Sequence, residues 1–152
     1  MAAATQNISR TTHLLALMKK GDDAFNDRDF AVLNAIHHPD MVAYVTGNAD
    51  LIYGSAAHAA MVQQMFRTFP DVHVHNDPYP VQFGSGDWIT VVTRTTGTFT
   101  GEMVLPDGTL VPPTGKAFDL DFGQASKWQG DQLIAISAFW DSALQAKQIG
   151  LG

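Results

Sequence analysis

Asp141 has the surroundings in this chain that most suggest chemistry. It follows an uncharged run, Leu133 to Trp140, and comes directly after Phe139 and Trp140. A carboxylate is strongly solvated, so apolar walls either destabilise it or raise its pKa. Lifted toward neutrality in a dry pocket, such an acid can take and return a proton beside a carbonyl. The competing expectation is structural. Asp is a favoured helix N-cap, and SALQAKQIG reads as a short helix that Asp141 would open.

The other candidates divide in the same way. Asp119 and Asp121 share one face of FDLDF, with Phe118, Leu120 and Phe122 on the other. Facing out they make a solvated surface; facing in they push each other's pKa apart, with Asp121 the better placed. His58 lies on the apolar stripe of a helix, either as a core residue or as a group that polarises a substrate carbonyl. Arg94 is the one charge inside WITVVTRTT, either paired at the surface or holding an enolate. Trp140, Trp88, Tyr44 and Phe99 are the aromatic candidates for the wall of a planar ligand. His73 and His75 share a strand face but lack a third ligand, so no metal is expected.

Composition limits the classes of function. Of 152 residues, 16% are charged and 45% hydrophobic, which describes one compact domain. The net charge of −6 and the scattered basic residues argue against nucleic acid. No cysteine is present, which excludes disulfides, thiolate metal sites and cysteine nucleophiles. No apolar run approaches a membrane span, so a soluble, cytoplasmic protein is expected. GSGDW and PTGK lack the spacing of phosphate loops and read as turns.

The helical signals come first. Leu14, Leu17, Met18, Gly21 and Phe25 fall at helical spacing, after a tail of about ten residues. Asp29 caps a short second helix that ends before Pro39, with His37 and His38 at its end. Ser55 opens a third helix carrying His58, Met61, Val62, Met65 and Phe66, which Pro70 ends. Beyond it the pattern is extended, with four strands separated by NDPYP, GSGD, LPDGTLVPPTG and QGDQ. This order predicts an α+β fold: a cone-shaped, curved, antiparallel or mixed sheet packed on three N-terminal helices and enclosing a pocket.

Four stretches carry a family resemblance: Gly97-Thr98-Phe99-Thr100-Gly101-Glu102, Pro113-Thr114-Gly115-Lys116, Trp140-Asp141 and Gln148-Ile149-Gly150. With the order of elements, they make the chain resemble the SnoaL-like polyketide cyclases of the nuclear transport factor 2-like superfamily. The resemblance implies a single domain over 1–152, no cofactor, a hydrophobic small-molecule ligand and a homodimer. It also implies that Asp141 is the acid/base of an aldol closure; the helix stripe and the strand face themselves offer His58 and Asp121 as further catalytic candidates. Gln124 is the only candidate for a supporting glutamine on its strand, and Phe99 stands where family members often have His. The expected function is acid/base proton transfer on a hydrophobic carbonyl substrate, of cyclase or isomerase type. The alternative is a non-catalytic module binding a lipophilic molecule or a dimerising partner.

Overall fold

The computed structural model describes residues 1–152. In chain order the elements are α1 (Ala2–Asp27), α2 (Phe30–Ile36), β1 (His37–Val45), β2 (Ile52–Tyr53), α3 (Ser55–Thr68) and β3 (His73–His75). They continue with β4 (Val81–Ser85), β5 (Trp88–Thr98), β6 (Met103–Val104), β7 (Leu110–Val111), β8 (Ala117–Gln129), β9 (Gln132–Phe139) and α4 (Ser142–Gln148). Seven strands form one sheet in the order β2-β1-β9-β8-β5-β3, with β4 also pairing with β5. β1 runs parallel to β9, and the other pairs are antiparallel, so the sheet is mixed. β6 and β7 form a separate ribbon. The expected α+β cone is present, with its sheet open and α1, α2 and α3 against it. No helix is long and apolar enough to cross a membrane.

Local sequence explains most element ends. α1 stops where Arg28 adopts a left-handed conformation, φ 61°. The Arg28 guanidinium then donates to the carbonyls of Pro70 and Val72 at 2.8 and 2.9 Å, satisfying a loop that crosses beneath it. Asp29 caps α2, accepting from the Val32 amide at 3.1 Å. His37 and His38 open β1 instead of ending α2, because the residue before Pro39 disfavours helix. Of the first ten residues, expected as a tail, all but Met1 lie in α1. Asn7 donates to Ser85 at 3.2 Å and Arg10 pairs with Asp87 at 3.3 Å, which ties the segment to the β4–β5 turn.

Side-chain alternation then sorts the sheet. Along β5, Ile89, Val91, Thr93 and Thr95 are buried, while Trp88 and Arg94 are exposed. Along β8, Phe118, Leu120, Ser126 and Trp128 point inward, and Asp119 and Asp121 outward. A fully buried aromatic such as Trp128 contributes on the order of 2–3 kcal/mol.

The motifs that carry the family resemblance meet at one end of the sheet, where they serve packing. The Phe99 amide donates to the Lys116 carbonyl at 2.9 Å, and the Gly115 amide returns a 2.9 Å bond to the Phe99 carbonyl. Thr114 Oγ1 donates to the Ile149 carbonyl, and Gln148 Oε1 accepts from the Asp119 amide at 2.9 Å. Phe69, Phe99, Phe118 and Ile149 pack within this knot as one cluster. Gly97 is required by close approach, since a Cβ there would lie 2.8 Å from a Phe118 ring carbon.

Candidate active site

Between the helices and the inner sheet face lies a cavity of about 130 Å³. Its walls are mostly apolar: Met18 from α1, Phe30 from α2, Met61 and Met65 from α3, Phe122 and Ile136 from the sheet, and Trp140 just after β9. Phe122 and Trp140 stack with ring centroids 4.6 Å apart and planes 5° apart, forming a flat aromatic wall. Trp140 is held in place by its indole N–H, which donates to Gln145 at 2.9 Å. Into this space project Asp22, Asn34, His37, His58, Gln124 and the hydroxyls of Thr93 and Thr95. No Lys, Arg or Glu lines it.

The carboxyl of this cavity is Asp22. It is 8% exposed and accepts a 2.6 Å hydrogen bond from the Tyr79 hydroxyl. Burial raises its pKa from 3.8 to about 6; the Tyr79 and, more weakly, Gln124 hydrogen bonds pull it down, and the Asp23 charge adds a smaller rise. Two imidazoles share the space, His37 and His58, in an edge-on arrangement with centroids 5.0 Å apart. Burial lowers both pKa values, that of His37 to about 4 with help from His58, so both rings are neutral at pH 7. Nδ1 of His58 is buried and has no hydrogen-bond partner. A carboxyl poised near pH 6 in a cavity that also holds neutral imidazoles and no cation can accept a proton from an uncharged molecule and return it.

Of the site residues singled out from sequence, His58, Gln124 and Trp140 meet at the cavity. Asp141 does not line it. It is exposed at the start of α4, and its Oδ1 accepts from the Leu144 amide at 2.9 Å as a helix cap. Asp141→Ala is therefore expected to lower stability by about 1 kcal/mol in urea titrations and to leave ligand binding at the cavity unchanged. Asp121 and Arg94 take the outward of their two expected directions, not the inward one that would have put them at the site. Facing one another in register on the outer sheet surface, they pair at 3.3 Å, and Asp119 joins the same guanidinium. Trp88 and Tyr44, 49% and 37% exposed, stand on that outer side, Trp88 near Lys127 and Tyr44 against Phe139. Phe99 is fully buried, but in the Phe69–Phe118 cluster away from the cavity. His73 and His75 stay exposed, and no group of three His, Cys, Asp or Glu gathers to hold a metal ion.

Asp22 and His37 were missed by sequence reasoning. Asp22 sits in a Gly-Asp-Asp stretch that looks like a solvated helix face. Its spacing held a signal: Asp22 follows Leu14 and Met18 at intervals of four, on the buried stripe of α1. Gln124 was noted from the resemblance, and the structure puts it beside Asp22.

Residues 16–149 match the SnoaL-like polyketide cyclases. The chain belongs to that family. No curated protein sequence matches this SnoaL-like protein. Among solved structures it resembles a protein from Jannaschia sp. CCS1 assigned as a SnoaL-like polyketide cyclase, 20% identical, covering 93% of this chain and 94% of that one, TM-score 0.79. It also resembles IdmH of Streptomyces antibioticus, assigned as a polyketide cyclase, 21% identical over 89% and 96%, TM-score 0.70. A third is a protein of ketosteroid isomerase-like fold from Catenulispora acidiphila DSM 44928, 13% identical over 90% and 93%, TM-score 0.72. At these identities the likeness is one of fold. Family membership supports a small-molecule cyclase or isomerase kind of function for this SnoaL-like chain.

Proposed function

We propose that this protein is an acid/base enzyme acting on an uncharged, largely apolar carbonyl compound, with Asp22 as the group that moves the proton. The observation that carries this reading is a buried carboxyl with its pKa near 6 in an apolar cavity that has no cation. Ionised Asp22 would take the proton from the carbon next to the carbonyl, leaving an enolate. The neutral imidazole of His58, whose Nδ1 lacks a partner, would donate to that oxygen in the tautomer protonated there. The enolate carbon would then attack a second carbonyl of the same molecule, and Asp22 would return its proton to the new alkoxide. Isomerisation would instead return the proton to another carbon. Neither course consumes a cofactor, and the stacked pair of Trp140 and Phe122 would offer one aromatic wall to a planar ring system.

The test is proton exchange in D2O, followed by NMR for bicyclic aromatic ketones beginning with 2-tetralone. Wild type and Asp141→Asn are expected to speed C–H to C–D exchange beside the carbonyl, and Asp22→Asn is not. Equal exchange by wild type and Asp22→Asn would remove the proposal. Ketone binding without any exchange would favour the non-catalytic reading of the same cavity.

The outer sheet face supports a homodimer. Phe83, Trp88 and Phe139 are about half exposed there. Trp88→Glu is expected to shift the sedimentation coefficient from dimer to monomer without disturbing the cavity on the opposite face.

A further inference from the structure

Tyr79 stands outside the cavity, and its hydroxyl reaches the one carboxyl inside it. The residue lines a surface groove of about 230 Å³ together with Lys19 and Asn76, and bonds Asp22 Oδ2 from behind. The contact belongs to a longer seam. On α1, Lys19, Asp22, Asp23 and Asn26 follow one another at helical spacing, facing the segment from Val74 to Tyr79. Asn26 donates to the Val74 carbonyl and accepts from the Val74 amide, both at 2.8 Å. Asn76 donates to Asp23 at 2.9 Å, and Lys19 donates to the same Asp23 at 3.1 Å. Asn76 and Tyr79, each 6% exposed, are buried between groove and cavity.

We propose that Tyr79 is the positioning residue of this site: it fixes Asp22 through Oδ2, leaving Oδ1 as the oxygen that takes and returns the proton, while Asn76, Asp23 and Lys19 hold Tyr79 in place. This rests on the reading of Asp22 as the acid/base. Oδ2 is committed to a donor that never ionises near neutrality, because burial and the adjacent Asp22 charge push the Tyr79 pKa far up. The charged and titratable groups facing Asp22 are few. Lys19 and Asp23 lie on its own helix, Tyr79 comes from the segment behind, and His37 and His58 share the cavity; the sheet adds only Gln124 and the two threonines.

The test is the Asp22 titration in the ligand-free protein, read by carboxyl carbon NMR and assigned by the signal lost in Asp22→Asn. The wild-type midpoint is expected near 6. Tyr79→Phe removes a bond that favours the carboxylate, so the midpoint is expected to rise by roughly one pH unit. Incorporating 3-fluorotyrosine, a stronger donor of nearly the same shape, is expected to lower it. That measurement decides the matter if Tyr79→Phe does not fold. The other two tyrosines, Tyr44 and Tyr53, are exposed and do not touch Asp22. In ketone exchange, the low-pH limb of Tyr79→Phe should shift upward with the titration. Unchanged midpoints in both proteins would overturn the role of Tyr79 while leaving Asp22 as acid/base. Full exchange activity in Asp22→Asn would do the reverse, because the titration shifts need no turnover.

Discussion

Asp22→Asn is expected to cut proton-exchange activity at least about a hundredfold and, at pH 7 to 8, to make the protein more stable by roughly 1–3 kcal/mol. The two effects have one cause. Burial lifts the carboxyl pKa from 3.8 to about 6. Below pH 3.8 the group is protonated in folded and unfolded chains alike, and it carries no penalty. Between 3.8 and about 6 the unfolded chain ionises first, so stability falls as pH rises. Above about 6 the penalty is complete, on the order of 3 kcal/mol for a shift of roughly two units. An amide at this position has no such penalty and can still accept from Tyr79, although its unpaired N–H groups return part of the gain. Melting curves should therefore separate at pH 7 to 8 and converge near pH 3.5, while the buried histidines affect both proteins equally. Activity of the wild type should rise as pH passes about 6, when Asp22 becomes a base. A variant that is less stable than wild type at every pH would show that the carboxylate is well solvated.

Gly101→Ala is expected to cost roughly 3 kcal/mol or more, or to prevent folding. A Cβ on Gly101 would overlap the Arg67 carbonyl oxygen at the end of α3, and Thr68 Cα lies 3.3 Å away. Those are backbone atoms and cannot swing aside. The Gly101 amide also donates to the Thr68 carbonyl at 3.0 Å, and Thr68 Oγ1 donates to the Glu102 carbonyl at 2.9 Å, so the two chains are locked together. Gly123→Ala is the matched control. Its nearest neighbour would be the Phe139 carbonyl oxygen at 4.0 Å, and a change within about 0.5 kcal/mol is expected. Urea midpoints of the two variants measure the difference. Equal midpoints would mean that the loop after β5 moves away from α3 at little cost.

The resemblance was legible because packing of this kind leaves short, local marks. Gly97 and Gly101 are needed where backbone meets ring or backbone, and Thr114 and Gln148 reach neighbouring main chain. These four residues do not line the cavity, which is why they identified the family and carried no information about the chemical group. Asp29 as a cap and Ser55 as a helix start were equally local, each decided within one helical turn.

Asp22 and Asp141 mark where local reading stops. From residue types alone, the three N-terminal helices, the strands β3, β5, β8 and β9, and the alternation along β5 and β8 were determined, because each depends on neighbours in the chain; the short β2, β4, β6 and β7 were not. Which face of the sheet meets the helices was not, since a period of two describes both faces equally well. That choice sent Arg94, Asp119 and Asp121 to solvent and left Thr93, Thr95 and Gln124 inside. Asp141 follows the more apolar run, yet it lies in the open and caps a helix. Asp22, in a run of polar residues, is covered by a tyrosine more than fifty positions away in the chain and by a strand farther still. Loss of water around a carboxyl depends on everything that packs over it, and only the folded chain brings those groups together.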